Sequence, residues 1–368
     1  MSAFGPVYLD YNATVPLRPE AAEAMMAALK QPINPSSVHQ FGRAARAQME
    51  AARKKIAEAV QVQPSALTFT SGGTESNNMI LMGFRTVFAS SVEHEAVLAA
   101  CPGAYIIDVD QNGVICLDHL EALLSALADE EKDNALVSVM AANNETGVIQ
   151  PLRDIGILCR QHQVAFHSDM VQALGKLTIS PEDEGIDYIS LSGHKIGAPT
   201  GTGAVWCRAG RTLHSLLAGG GQEQRRRPGT ENVSGICGFA AAAQAARPSE
   251  LDNMQLWRDE AEQMIIQQCP QIEIIGANVP RLVNTSCLFL PGLAAQTAIM
   301  ALDLAGFAVS SGSACSSGKV TSSHVLTAMG RDDAAGQVIR VSGGWQTTRQ
   351  DFHRLAQAVI DLYKRKAH

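Results

Sequence analysis

Between Leu67 and Cys207 the chain alternates short β-like runs with helix-like segments or Gly/Pro turns, and this alternation narrows its possible folds more than any other feature. The runs are Leu67 to Thr70, Thr86 to Ala89, Tyr105 to Val109, Ala135 to Met140, Val164 to His167, Tyr188 to Leu191 and Ala204 to Cys207. Short apolar strands separated by helices predict a mainly parallel sheet covered by helices, an α/β fold. Composition agrees, because aromatic residues make up only 5% of the chain and alanine is plentiful, which favours helices packed through small side chains over an aromatic-rich sandwich.

Helical patterns run from Arg18 to Lys30 and from Gly42 to Val60 ahead of this region, and an Ala-rich helix from Asn232 to Ala246 follows it. The sequence becomes more polar from Ser249 onward, which marks a domain boundary. Beyond it come a helix (Leu251 to Gln268), two strands (Ile272 to Ile275 and Ser286 to Leu290), a helix (Gln296 to Leu304), a Gly/Ser loop and a last helix (Thr348 to Lys364). The expected division is a large domain over residues 14–247 and a smaller α+β domain built from residues 1–13 and 248–368. With 46% hydrophobic residues among 368, there is enough apolar material for both cores.

A formal charge of −7 argues against a general nucleic-acid surface, since phosphate binding needs a dense cationic face. No apolar stretch reaches the roughly 20 residues that span a bilayer, and Met1 to Pro6 lacks the charged head and apolar centre of a secretory signal. The eight cysteines are irregularly spaced with no Cys-x-x-Cys pair, fitting neither a disulfide framework nor a structural zinc site. A cytosolic protein without a metal is expected. Cys159, Cys207, Cys237 and Cys287 have apolar neighbours, as inert buried thiols do.

Several motifs carry the chemistry. In SGGTESNN (Ser71 to Asn78) a strand ends in a Gly-rich turn that opens a helix, whose free N–H groups favour a phosphate; alone, Gly72 and Gly73 serve equally as a plain turn and Thr74 as a cap. Asp169 follows a buried strand, where parallel sheets bind ligands, with Gln172 three residues on; a capping Asp is the alternative. If the ligand is pyridoxal phosphate, a carboxylate there keeps the pyridine nitrogen protonated. SLSGHK (Ser190 to Lys195) sets Ser192, His194 and Lys195 in one turn, and a desolvated lysine there is able to condense with an aldehyde, though most lysines simply face solvent. His94, in SVEHEAV, is placed to stack on a flat ring or shuttle protons, or else is structural. GGGQEQRRRPGTEN (Gly219 to Asn232) is either a solvated charged loop or one reaching a phosphate. Cys315 alone among the cysteines stands in a small, polar, Gly-containing run, SSGSACSSG, with Lys319 and His324 as nearby positive groups able to favour its thiolate.

Taken together these motifs resemble the NifS-like cysteine desulfurases of the class V aminotransferase group. The likeness runs along nearly the whole chain and adds YLDYNAT (Tyr8 to Thr14), NPSSVH (Asn34 to His39), ANNETG (Ala142 to Gly147), SDMVQALGK (Ser168 to Lys176) and HVLTAMG (His324 to Gly330). It implies the fold type I architecture, with a mainly parallel seven-stranded sheet in the large domain, and pyridoxal 5′-phosphate as cofactor. By the same resemblance, Lys195 tethers the cofactor, His94 stacks on its ring, Asp169 pairs with the pyridine nitrogen and Gln172 bonds the phenolic oxygen. Gly73, Thr74, Ser192 and His194 hold the phosphate, with Thr230 arriving from the partner of a homodimer. Arg340, helped by Asn34 and Asn144, binds the substrate carboxylate, and Cys315 accepts sulfur.

The implied reaction converts L-cysteine to L-alanine, with Lys195 or His94 moving the α-proton and Cys315 carrying sulfur as a persulfide to an iron–sulfur scaffold or sulfur-relay protein. A selenocysteine lyase or an aminotransferase on the same fold, and a non-catalytic sulfur-trafficking subunit, are the alternatives. Three stretches depart from the family pattern: the shortened Gly83 to Val87, the run Ile196 to Gly203 after the lysine, and Gly344 with Trp345, where relatives read Leu-Gly.

Overall fold

A computed structural model of the chain describes residues 5–312 and 322–366. Cys315 and Lys319 lie outside the described residues. In chain order the elements begin with β1 (Val7–Tyr8), α1 (Pro19–Leu29), α2 (Gln40–Ala59), β2 (Leu67–Thr70), α3 (Gly73–Leu81), β3 (Thr86–Ser90), α4 (Glu95–Leu98) and β4 (Tyr105–Ile107). They continue with α5 (Leu117–Ser125), β5 (Ala135–Ser138), α6 (Leu152–Gln161), β6 (Ala165–Asp169), β7 (Tyr188–Ser192), β8 (Gly203–Cys207) and α7 (Val233–Ala245). The last third contains α8 (Met254–Gln268), β9 (Glu273–Ile274), β10 (Thr285–Phe289), α9 (Ala295–Leu304), β11 (Phe307–Ala308), α10 (His324–Ala328), β12 (Val338–Ser342) and α11 (Arg349–Lys366).

The expected seven-stranded sheet is present in the order β2-β8-β7-β6-β5-β3-β4. Every pairing from β7 to β4 is parallel, and β8 runs antiparallel to both of its neighbours. β2 therefore points the same way as β7, and the carboxyl ends of β2, β3, β5, β6 and β7 share one edge of the sheet. Strands buried on both faces explain the continuous apolar runs. The covering helices show the complementary period: in α6 the buried residues are Leu152, Ile155, Gly156 and Cys159, one stripe of a 3.6-residue helix.

A second sheet, β12-β10-β9, is antiparallel, and β1 pairs with β11. Its apolar layer joins Val7 and Leu9 to residues between Leu251 and Ile360, whereas the core around the large sheet draws on residues from Ala21 to Ala246. α11 packs the stripe Phe352, Leu355, Ala356, Val359 and Ile360 inward. Two expected boundaries move. Pro248 starts a short 3-10 turn, so α8 begins at Met254, and His39 caps α2 by accepting the Gly42 N–H, so that helix begins at Gln40. Among the described cysteines Cys159, Cys207, Cys269 and Cys287 are buried, while Cys237 is only half-buried. No helix among the described residues is long and apolar enough to cross a membrane.

Two buried polar arrangements hold the sheet. Arg53 of α2 donates to both oxygens of Glu223 at 2.8 and 2.6 Å, and Glu223 also accepts the Phe69 N–H at 2.8 Å, which fastens the Gly219 to Asn232 loop to β2. Glu223 holds φ +46° there, so the loop is pinned in a left-handed turn. Glu223→Ala leaves Arg53 with Glu50 and the Leu67 carbonyl but removes the buried carboxylate that holds both Arg53 and the Phe69 N–H, and should cost about 1.5–3 kcal/mol, read as a lower urea midpoint.

His167, fully buried on β6, reaches Ser138 Oγ at 2.9 Å on β5 and Ser190 Oγ at 3.0 Å on β7. Burial pushes its imidazole down to about 3. The unfolded chain binds that proton near pH 6.5, so the contribution is whole above pH 6.5 and is lost as pH falls toward 3. Melting temperatures measured at intervals from pH 7 to 4 should fall, and His167→Gln should flatten the slope.

Candidate active site

The shared carboxyl edge of the large sheet opens into a cavity of about 460 Å³. Into it the fold brings Gly73, Thr74, His94, Asn144, Asp169, Gln172, Ser192, His194, Lys195 and Arg340, which the sequence offered from widely separated segments. Asp10, Asn12, Asn77, Met140 and Gly312 complete much of the wall. Asn34 does not line the cavity; it is exposed, and its Oδ1 accepts the Ser36 N–H at 3.0 Å. Thr230 is exposed and is likewise absent from this chain's own cavity wall. Cys315 is outside the described residues, but Ser310 and Gly312, on the chain leading to it, line the cavity.

Lys195 sits on the 3-10 turn Gly193–Ile196 that follows β7, with its amine turned inward to donate to the carbonyls of Asn12 at 2.6 Å and Ala13 at 2.9 Å. Burial, then the Arg340 charge, brings the amine down to about 8, while Asp10 and Asp169 pull in the other direction. A usable fraction of neutral amine near neutral pH is what condensation with an aldehyde requires. His194, beside it, is held down to about 4 by burial and then by Lys195, and its Nδ1 lies 3.2 Å from Thr14 Oγ1.

Asp169 ends β6 with its carboxylate buried. One oxygen accepts the Val171 N–H at 2.9 Å, and the other accepts Asn77 Nδ2 at 2.7 Å. Asn77 is a site residue that the sequence reading left unassigned. Its signal was there, because it lies four residues after Gly73 and so one helical turn along the same face of α3. His94 caps α4 by accepting the Ala96 N–H on Nδ1 at 3.0 Å, which fixes the neutral ring with its proton on Nε2.

Gly73 opens α3, and a β-carbon there would stand 2.9 Å from Val171 Cγ2 and 3.7 Å from Ser192 Cβ. A side chain would fill this cradle, whereas glycine leaves the helix N-terminus open toward the cavity with Ser192 beside it. A helix start open toward the cavity, a buried carboxylate and a desolvated lysine, all on one cavity wall, are the three features that pyridoxal 5′-phosphate needs, so the residues present fit that group.

Arg340 comes from β12, a strand that the sequence reading did not identify. Its Nη2 donates to Asp10 at 2.6 Å and its Nη1 to the Asn144 carbonyl at 2.9 Å, while the buried Nε has no acceptor among the described residues. The departures near this wall also have a physical reason. A β-carbon at Gly344 would meet the Tyr11 ring at 1.9 Å, so glycine is required, and Trp345 lies under the Arg18 guanidinium at 5.2 Å.

Comparison with known proteins agrees with this geometry. The profile of the class-V aminotransferases matches residues 7–355. The chain is 38% identical to cysteine desulfurase IscS of Dictyoglomus turgidum over 94% of its own length and 92% of that protein's. It is 37% identical to the putative cysteine desulfurase IscS 1 of Bacillus subtilis, covering 98% and 99%. An X-ray structure of a NifS-like protein from Rickettsia africae superposes with a TM-score of 0.89 at 34% identity, covering 98% of this chain and 99% of that one. With its parallel sheet, its cofactor-shaped cavity and these relatives, the chain belongs to the pyridoxal-phosphate-dependent class-V aminotransferase family, in its NifS-like branch.

Proposed function

We propose that this protein is a cysteine desulfurase that releases L-alanine from L-cysteine and takes the sulfur onto Cys315 as a persulfide. The observation that carries the reading is the meeting of Lys195, Asp169 and Arg340 in one cavity. Lys195 and Asp169 serve a pyridine-ring aldehyde, and Arg340 serves the carboxylate of an amino acid. Similarity to proteins named cysteine desulfurase selects the amino acid.

Pyridoxal phosphate, when bound, supplies an aldehyde for the substrate amine and a cationic ring that draws electrons from the substrate α-carbon. Asp169 would hold the proton on the ring nitrogen, its own orientation fixed by Asn77 and Val171. Gln172 would donate to the phenolic oxygen, and Gly73, Thr74, Ser192 and His194 would hold the phosphate. Arg340, which lines the cavity, would receive the substrate carboxylate, its guanidinium held in place by Asp10 and the Asn144 carbonyl. Lys195 Nζ would take the proton from the substrate α-carbon, with the His94 Nε2 proton available on the same cavity wall. The Cys315 thiolate would attack the substrate sulfur; the S–S bond forms as the C–S bond breaks, and the remaining three-carbon amino acid is protonated to alanine.

The two largest apolar clusters, which share no residue, support a division into a cofactor-binding domain over residues 14–247 and a smaller domain from residues 1–13 and 248–368, with Val92 packed against the smaller one. Thr230, exposed and away from its own cavity, suits a homodimer in which it completes the neighbour's phosphate site. An iron–sulfur scaffold or a sulfur-relay protein would then collect the persulfide.

The test is an assay of the loaded enzyme with L-cysteine alone. With a thiol reductant added to release the sulfur from Cys315, alanine should form catalytically without any 2-oxo acid. Turnover that depends strictly on a 2-oxo acid would make the protein an aminotransferase instead.

A further inference from the structure

Lys176 is a buried amine to which the reaction assigns no task. It donates to Asn12 Oδ1 at 2.9 Å and to Gln172 Oε1 at 2.7 Å, and both acceptors are neutral amides. Its surroundings oppose a charge: burial, then Lys195, then Arg340 all push its pKa well below the usual lysine value. A lysine kept in so unfavourable a place invites an account of what its two hydrogen bonds do.

Each amide has one accepting and one donating end, and lysine is a donor here, so Lys176 favours the arrangement in which both amide oxygens face it. With Oε1 turned to Lys176, Gln172 presents its Nε2, which donates to the Asn12 carbonyl at 2.9 Å. That same carbonyl accepts Lys195 Nζ at 2.6 Å. With Oδ1 turned to Lys176, Asn12 presents its Nδ2 to Thr285 Oγ1 at 2.9 Å, while its own N–H donates to Ser342 Oγ at 3.0 Å. Asn12 is 1% exposed, and its bonds tie the cavity wall to β10 and β12. Without Lys176, Gln172 Oε1 has no donor among the described residues and Asn12 Oδ1 keeps only the longer 3.3 Å bond from Asn284 Nδ2, so both amides are held less firmly.

We propose that Lys176 is a positioning residue of the active site, locking the amides of Gln172 and Asn12 so that the Gln172 N–H and the Asn12 carbonyl both face the lysine end of the cavity. The proposal rests on the pyridoxal-phosphate reading of that cavity. It acts through Gln172, whose N–H would stabilise the ionised phenolic oxygen of the bound cofactor. The charged and titratable groups facing Lys195 are Arg340 from β12, Asp10 from the segment after β1, Asp169 from β6, His194 on its own turn, and Lys176. Loss of Lys176 loosens the donor that faces the phenolic oxygen, and a weaker bond to that oxygen raises the pH at which the cofactor-bound amine gives up its proton.

The experiment uses full-length protein loaded with pyridoxal phosphate and follows its visible absorbance from pH 6 to 10, together with cofactor affinity by equilibrium dialysis. Lys176→Met should move the spectroscopic midpoint up by about one unit and weaken cofactor binding about tenfold. Lys176→Arg, which keeps the donors, should restore most of both. Gln172→Leu should produce part of the same shift, and the double variant should shift less than the sum of the two single changes, because they act through one contact. An unchanged midpoint in Lys176→Met, or strictly additive shifts, would overturn the proposal. Should the Met variant not fold, Lys176→Gln, which keeps an amide donor, is read the same way: an intermediate shift supports the proposal and no shift overturns it. A native chain that binds no pyridoxal phosphate would instead overturn the reading of the cavity itself.

Discussion

Lys195→Ala should leave the purified protein colourless and lower alanine formation from L-cysteine by about a thousandfold or more, since it removes both the covalent tether and the base at the α-carbon. Absorbance spectra and an alanine assay check the two effects separately. The native amine also predicts a pH dependence. With Lys195 brought down to about 8, the rate at which cofactor-free protein takes up pyridoxal phosphate should climb about tenfold per pH unit below 8 and level off above it. A rate that keeps climbing to pH 10 would mean that burial and Arg340 do not act on this amine as the geometry requires.

Cys315→Ser should separate sulfur transfer from everything else. Its cofactor spectrum and affinity should match those of the native chain, because no residue proposed to hold the cofactor is altered, yet alanine release should fall by about a hundredfold to ten-thousandfold. Serine keeps the size of the side chain and loses the nucleophilic thiolate. Desulfurase activity at the native level in this variant would take Cys315 out of the reaction. Ser323 Oγ donates to Glu145 at 2.6 Å, and His324 Nε2 lies 2.9 Å from the Glu93 carbonyl, so the chain after the cysteine run is anchored beside the cavity.

Much of this was legible in the sequence because the relevant physics is local. The parallel strands are apolar on both faces, the turn that opens α3 has no room for a side chain at position 73, and Lys195 and Asp169 stand at strand ends where ligands collect. What escaped depends on distant partners. β12 was missed because Val338–Ser342 carries a buried arginine, which a strand tolerates here only through Asp10 and the Asn144 carbonyl, both remote in the chain. Asn12 meets Lys195 and Gln172 through its backbone carbonyl, a group that every residue possesses, so nothing in its identity announced that contact. Gly344 looked like a departure from the family pattern, and only the Tyr11 ring above it explains the choice. Asn34 was assigned to the substrate from its motif, while in the single chain it turns away to cap Ser36.

The account stands or falls most directly on where the substrate's sulfur goes. Loaded enzyme would be mixed briefly with L-cysteine, alkylated, digested and weighed peptide by peptide. One additional sulfur atom should appear on the peptide containing Cys315 and be missing from the same peptide in Lys195→Ala. Steady production of alanine while that peptide keeps its original mass would contradict it.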